Sequence, residues 1–159
     1  MRIYLVQHGE TVDKEVDSLR PLSDQGREDI TRVAGFLSLF EKPKPSMIIH
    51  SGKLRAEQTA SMFAQAWQIS QVQESSSLAP NAVPELWVNK LQEMTEDVML
   101  VGHLPHLSKL ASLLMVNNDN LEVIAFRNAG CVCLERTDSG YRILWQINPT
   151  LFYPSDEVS

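Results

Sequence analysis

Apolar residues follow two patterns along this chain. Short unbroken runs, Ile3-Tyr4-Leu5-Val6, Met47-Ile48-Ile49 and Val98-Met99-Leu100-Val101, lack the alternation of a half-exposed strand. They predict strands buried on both faces of a parallel sheet, the first over Arg2 to Gln7 and ended by His8-Gly9-Glu10. Between them, apolar positions recur at three- and four-residue spacing and predict helices. Ser23 is a plausible N-cap for one carrying Ile30, Val33, Ala34 and Leu37 to about Phe40, where Lys42-Pro43-Lys44-Pro45 stops it. A second carries Ala56, Ala60, Phe63, Ala64 and Trp67, with Arg55, Glu57 and Gln58 off the stripe near its start. Pro84 to about Met94 reads as a third helix. Leu107, Leu110, Ala111, Leu114 and Met115 mark another, broken by Asn117-Asn118-Asp119-Asn120. Gln71 to Pro84 is polar and reads as loop, with a short extended piece near Leu78. Cys131 to Arg136 and Tyr141 to Ile147, joined through Thr137-Asp138-Ser139-Gly140, read as an antiparallel hairpin on a sheet edge.

Strands alternating with helices predict a single-domain, three-layer α/β sandwich with a mostly parallel central sheet, helices on both faces and a C-terminal antiparallel hairpin. A length of 159 residues fits one such domain, expected over 1–150 with a tail over 151–159. Two of the buried strands end alike, in Gln7-His8-Gly9 and in Gly102-His103. Ligands of open parallel sheets bind beyond the carboxyl ends of the strands, so the sheet brings His8 and His103 to one place.

Composition narrows the partners. Hydrophobic residues make up 43% and charged residues 21%, which is globular usage and excludes a disordered or fibrous chain. A formal net charge of −6 disfavours broad attraction to nucleic acid or an anionic membrane, so an anion site must be local. The apolar run after Arg2 is too brief for a signal-peptide core and no stretch reaches the roughly 20 residues of a membrane span, so a cytoplasmic address is expected. Cys131 and Cys133, two apart on a strand, share a face without the geometry of an ordinary disulfide and read as packed thiols. A Cys-x-Cys metal site would need further ligands, and neither these cysteines nor the His103/His106 pair has them nearby in sequence. Without a family context, a strand-terminal histidine is more often a structural hydrogen-bonder than a catalyst.

Four ordered segments change that reading. Leu5-Val6-Gln7-His8-Gly9-Glu10-Thr11, Arg20-Pro21-Leu22-Ser23, Ser51-Gly52-Lys53-Leu54-Arg55-Ala56-Glu57-Gln58-Thr59-Ala60 and Val101-Gly102-His103-Leu104-Pro105 together resemble the histidine phosphatase superfamily, and within it the small SixA-type phosphohistidine phosphatases. The resemblance runs over essentially the whole chain. It implies that His8 accepts the phosphoryl group, that Arg55 binds its oxygens, that His103 stands beside them as an electrostatic partner, and that Arg20 lines the pocket. No metal or other cofactor is implied. The chemistry suits the residues: a neutral imidazole attacks phosphorus without a strong base, and a planar guanidinium presents paired donors to the equatorial oxygens.

The chain also departs from that pattern. Gln7 stands where such proteins usually carry an arginine; its amide donates hydrogen bonds but brings no charge. Lys53 is a possible substitute for that charge, and Gly52 replaces the usual proline. His106 stands where relatives often have a small residue and is a candidate for shaping the pocket mouth, while His50 reads as structural. Glu10, Asp13 and Asp17 are the carboxylates considered as general acids, each also readable as a solvated loop charge. An alcohol leaving group needs such an acid, whereas imidazole leaving from phosphohistidine needs it less. The expected function is therefore a metal-independent phosphatase acting on a phosphohistidine-bearing phosphocarrier protein through phospho-His8. The alternatives are a small-molecule phosphomonoesterase and a weakly active phospho-binding module in which Gln7 has removed too much charge.

Overall fold

A computed structural model describes residues 1–155. Its six-stranded sheet has the order β3-β2-β4-β1-β5-β6, where β1 is Arg2–Gln7, β2 Met47–His50, β3 Val72–Glu74, β4 Val98–Gly102, β5 Cys131–Thr137 and β6 Gly140–Ile147. The strands from β3 to β1 run parallel, and β5 and β6 form the antiparallel hairpin expected at one edge. Four α-helices complete the sandwich: α1 Asp24–Phe40, α2 Leu54–Trp67, α3 Glu85–Glu93 and α4 His106–Val116.

The unbroken apolar runs are explained by two cores, one on each face of the sheet. Tyr4, Val6, Met99, Val101, Cys131 and Cys133 meet α1 and α2 through Ile30, Val33, Leu37, Ala60 and Phe63. Ile3, Leu5, Val98, Leu100, Val132 and Leu134 meet α3 and α4 through Trp87, Leu91, Leu107 and Leu110. Successive residues of a strand point to opposite faces, so a strand covered on both sides is apolar at every position. Both cysteines are free thiols packed in the first core, and burial pushes their pKa values up. Truncating a wholly buried side chain such as Phe63 is expected to cost about 3–5 kcal/mol.

The expected α1 cap is present: the Ser23 side chain accepts from the Gly26 backbone N–H at 3.0 Å. The segment after α2 differs from expectation. The extended piece lies at Val72–Glu74, pairing parallel with β2, and Leu78 closes a 3-10 turn over Ser76–Leu78 with its side chain buried. All three β3 residues are exposed, so the apolar signal came from Leu78, which anchors the turn rather than a strand. Beyond β6 a 3-10 turn over Pro149–Phe152 leads to Tyr153, whose hydroxyl donates to Asp29 of α1 at 2.6 Å. The chain is thus docked onto α1 past position 150, while 156–159 lie outside the described residues. No helix among the described residues is long and apolar enough to cross a membrane.

Candidate active site

The two central strands, β1 and β4, lie side by side in parallel register, with Gln7 opposite Gly102. Each chain then leaves the sheet through a histidine, and the backbone N–H of His8 donates to the Gly102 carbonyl at 3.1 Å. The His8 and His103 rings consequently lie 5.0 Å apart between centroids, tilted by 52°.

His8 is buried, and its Nδ1 lies 2.7 Å from the Gly9 carbonyl oxygen. A carbonyl only accepts, so Nδ1 carries the proton and Nε2 carries the lone pair. Burial lowers the His8 pKa to about 4; the Gly9 carbonyl opposes the shift, and Arg55 and Arg20 add to it. The imidazole is therefore neutral and nucleophilic at pH 7. His103 is pressed further, to about 3, first by burial and then by His8, Arg55, Lys53 and His106. Its Nε2 is hydrogen-bonded to Ser51 Oγ at 2.6 Å, and its Nδ1 is buried without a partner.

The cations come from the loop after β1 and the start of α2. Arg20 has a left-handed backbone, φ 50°, held by a bond from its own N–H to the Asp17 carbonyl. Its guanidinium donates to Thr11 Oγ1 at 2.9 Å, across the point where Thr11 bridges to Leu22. A non-glycine residue in that region carries about 1 kcal/mol of strain, retained where it aims a side chain. Arg55 lies in the first turn of α2; burial, then the charge of Arg20, lowers its pKa. Neither arginine forms an ion pair with a carboxylate among the described residues. The Nε of each is buried with no hydrogen-bond partner among the described residues. Like charges held close together and half-buried repel, so an anion between them relieves the repulsion.

The stretch around Arg55 owes its composition to the same construction. Ala56 and Ala60 pack into the core, Thr59 Oγ1 accepts from the Gly9 N–H at 3.0 Å, and Gln58 Oε1 accepts from the Leu22 N–H at 2.8 Å. One turn of α2 thus fixes the loop after β1 and the loop carrying Arg20. Gly9 is required by close approach: a Cβ there would lie 2.8 Å from Ile30 Cδ1 and 3.2 Å from the Gly26 carbonyl oxygen.

The remaining expected residues are distributed unevenly. Gln7 donates from Nε2 to Asn128 Oδ1 at 3.0 Å, and its Oε1 is buried without a partner. Lys53 is exposed at the start of α2, near enough to depress His103. Glu10 is turned to the start of α1, where its Oε1 accepts from Ser23 Oγ at 3.0 Å. Asp17 Oδ1 accepts from the Leu19 N–H within its own loop. His50 Nδ1 accepts from the Gly52 N–H at 3.1 Å, a structural bond. His106 is buried at the start of α4 with both ring nitrogens unpartnered, and burial lowers its pKa to about 4. Ser51 and Thr59 stand inside a resembling segment without an assigned role, and Asn128 carried no local signal. Among the described residues no group of three or more His, Cys, Asp or Glu is placed to hold a metal ion.

This architecture, with a histidine at each of two adjacent strand ends, is the histidine phosphatase fold. A structure of the protein histidine phosphatase SixA complexed with tungstate superposes with a TM-score of 0.85 over 96% of this chain and 100% of that one, at 24% identity. A candidate phosphohistidine phosphatase SixA from Agrobacterium tumefaciens gives 0.75 over 93% and 97%, also at 24% identity. A candidate alpha-ribazole-5'-P phosphatase from Escherichia coli gives 0.75 over 93% and 96%, at 17% identity. No family model matches the sequence, and no curated protein does. What is shared at these identities is the fold.

Proposed function

We propose that this chain is a phosphatase that takes a phosphoryl group onto His8 Nε2 and passes it to water, with a phosphohistidine-bearing protein as the donor. The observation that carries the reading is a neutral imidazole, protonated on Nδ1, beside two half-buried arginines that have no carboxylate partner among the described residues. In the first step the His8 Nε2–P bond forms and the donor's N–P bond breaks, its electron pair going to the donor imidazole. Water then attacks phosphorus, the His8–P bond breaks and the pair returns to Nε2. Phosphoryl transfer asks for positioning and for charge around the equatorial oxygens, which Arg55 and Arg20 supply. A dianion between the rings also favours protonation of His103, reversing part of its depression.

The fold relatives support phosphoryl chemistry without deciding the donor: SixA and the candidate ribazole phosphatase act on different substrate classes by their descriptions. The phosphohistidine reading draws its support from the leaving group, because Glu10 and Asp17 are engaged elsewhere and an imidazole departs without a strong acid. The acidic surface implied by a charge of −6 leaves recognition of an acidic phosphocarrier to local contacts around the pocket. Turnover of a phosphohistidine protein by wild type, Gln7→Arg and His8→Ala tests the reading. Activity in wild type that falls by about 10³-fold or more in His8→Ala is expected. Binding without turnover in wild type, restored to turnover by Gln7→Arg, would make the chain a phospho-binding module instead.

A further inference from the structure

Strand alternation decides which side of the sheet each residue at its carboxyl end faces. Ile3 and Leu5 of β1 pack toward α3 and α4, so Gln7 points to that side as well. Its register partner Gly102 lies under the start of α4: a Cβ on Gly102 would stand 3.5 Å from Leu107 Cγ, and the Leu107 N–H donates to the His103 carbonyl at 2.9 Å. The first turn of α4, which carries His106, therefore covers the end of the sheet on the side to which Gln7 points. His106 is only 1% exposed, and its charge is among those that depress the His103 pKa.

Both side chains are incompletely bonded there. Gln7 Nε2 donates one hydrogen to Asn128 Oδ1, and Gln7 Oε1, which can only accept, is buried with no partner among the described residues. Both ring nitrogens of His106 are likewise buried without a partner among the described residues. Burial lowers the His106 pKa to about 4, so the ring is neutral at pH 7 and one nitrogen carries a hydrogen to donate. A buried acceptor and a buried donor are each costly to leave unpaired, and here they stand over the same strand end.

We propose that His106 is a positioning residue for phosphate binding: its ring N–H engages Gln7 Oε1 and directs the second Nε2 hydrogen of Gln7 at a phosphoryl oxygen. The inference rests on the phosphoryl chemistry of the His8 pocket and adds to it the support of one neutral donor. Gln7 brings no charge, so its contribution depends on where its hydrogen points. The bond to Asn128 alone leaves the carboxamide able to pivot, and a second bond from His106 fixes its plane. An arginine in place of Gln7 would need no such brace, because a guanidinium holds its donors in a fixed fork.

The test compares wild type, His106→Leu, Gln7→Met and the double variant, with His106→Gln as the conservative replacement. Tungstate affinity is read by calorimetry and kcat/KM with phosphoramidate. His106→Leu and Gln7→Met should each weaken tungstate by about tenfold and lower kcat/KM to a similar extent, with the double variant no worse than either. His106→Gln, whose amide N–H also donates, should stay within about threefold of wild type. In the Gln7→Arg background, His106→Leu should cost less than about twofold. Losses that multiply in the double variant, or a full loss from His106→Leu in the Gln7→Arg background, would overturn the proposal, as would unchanged tungstate affinity in His106→Leu. Binding is measured apart from turnover, so a wild type that binds tungstate yet never labels His8 would remove the nucleophile reading while the affinities still decide the coupling of His106 to Gln7.

Discussion

Two polar clusters in this molecule are built on opposite principles. Against α1, Asp29 accepts from the Tyr153 hydroxyl at 2.6 Å and from Gln25 Nε2 at 2.8 Å, and Arg32 lies over the Tyr153 ring at 4.8 Å. Each charge there has its partner inside the protein. At the ends of β1 and β4, Arg20, Arg55 and His103 all hold buried nitrogens with no partner, and like charges depress one another. The first cluster ties the end of the chain to the body. The second leaves its own groups without partners among the described residues, which is what the proposed phosphate site requires.

Breaking the second cluster should cost function far more than stability. Arg55→Ala is expected to lower kcat/KM by about 10²–10³-fold, and to remove the rise in thermal midpoint that tungstate or vanadate is expected to give the wild type. Because Arg55 is destabilised in the empty pocket, the unliganded variant should melt no lower than wild type, as read by calorimetry with and without oxyanion. A lower unliganded midpoint with undiminished oxyanion binding would place Arg55 in the structural class of Asp29.

Titration sharpens the contrast. The folded pKa values of His8, His103 and His106, about 4, 3 and 4, lie below the ordinary 6.5. Between about pH 6.5 and 4 the unfolded chain binds more protons than the folded one. Stability must therefore fall as pH drops through that window, each unit of depression being worth about 1.4 kcal/mol. Denaturant unfolding at pH 7.5, 6 and 5 checks this, and His106→Leu should flatten part of the slope because it removes one of the three groups. A flat profile would mean that the pocket histidines are solvated.

The smallest effect belongs to the satisfied cluster. Tyr153→Phe deletes one hydroxyl bonded to Asp29, and about 1 kcal/mol of stability should go with it while kcat/KM stays within about twofold. A larger loss of activity would show that the docked C-terminal segment communicates with the pocket.

Local pattern and long-range contact were unequally legible. The buried runs Ile3 to Val6 and Val98 to Val101 announced their strands because both faces are covered, and the sheet rule then placed His8 beside His103. β3 escaped because its three residues are all exposed at an edge and offer no alternation to read. Among site residues, Arg55 and Arg20 were found by resemblance. The bond of Gln7 to Asn128 and that of Ser51 to His103 join positions far apart in sequence, so no local spacing encodes them. What lies against Gly52 was hidden for the same reason: the glycine was visible as a departure, but the Glu74 side chain that a Cβ there would meet belongs to the neighbouring strand β3.

The central claim concerns one nitrogen, and rapid quenching of the protein with a phosphoramidate or phosphohistidine donor addresses it directly. The account predicts an acid-labile, alkali-stable phosphoryl group on His8, attached through Nε2, that forms and decays at rates consistent with turnover. Turnover with no label on His8, or a label confined to another side chain, would contradict it.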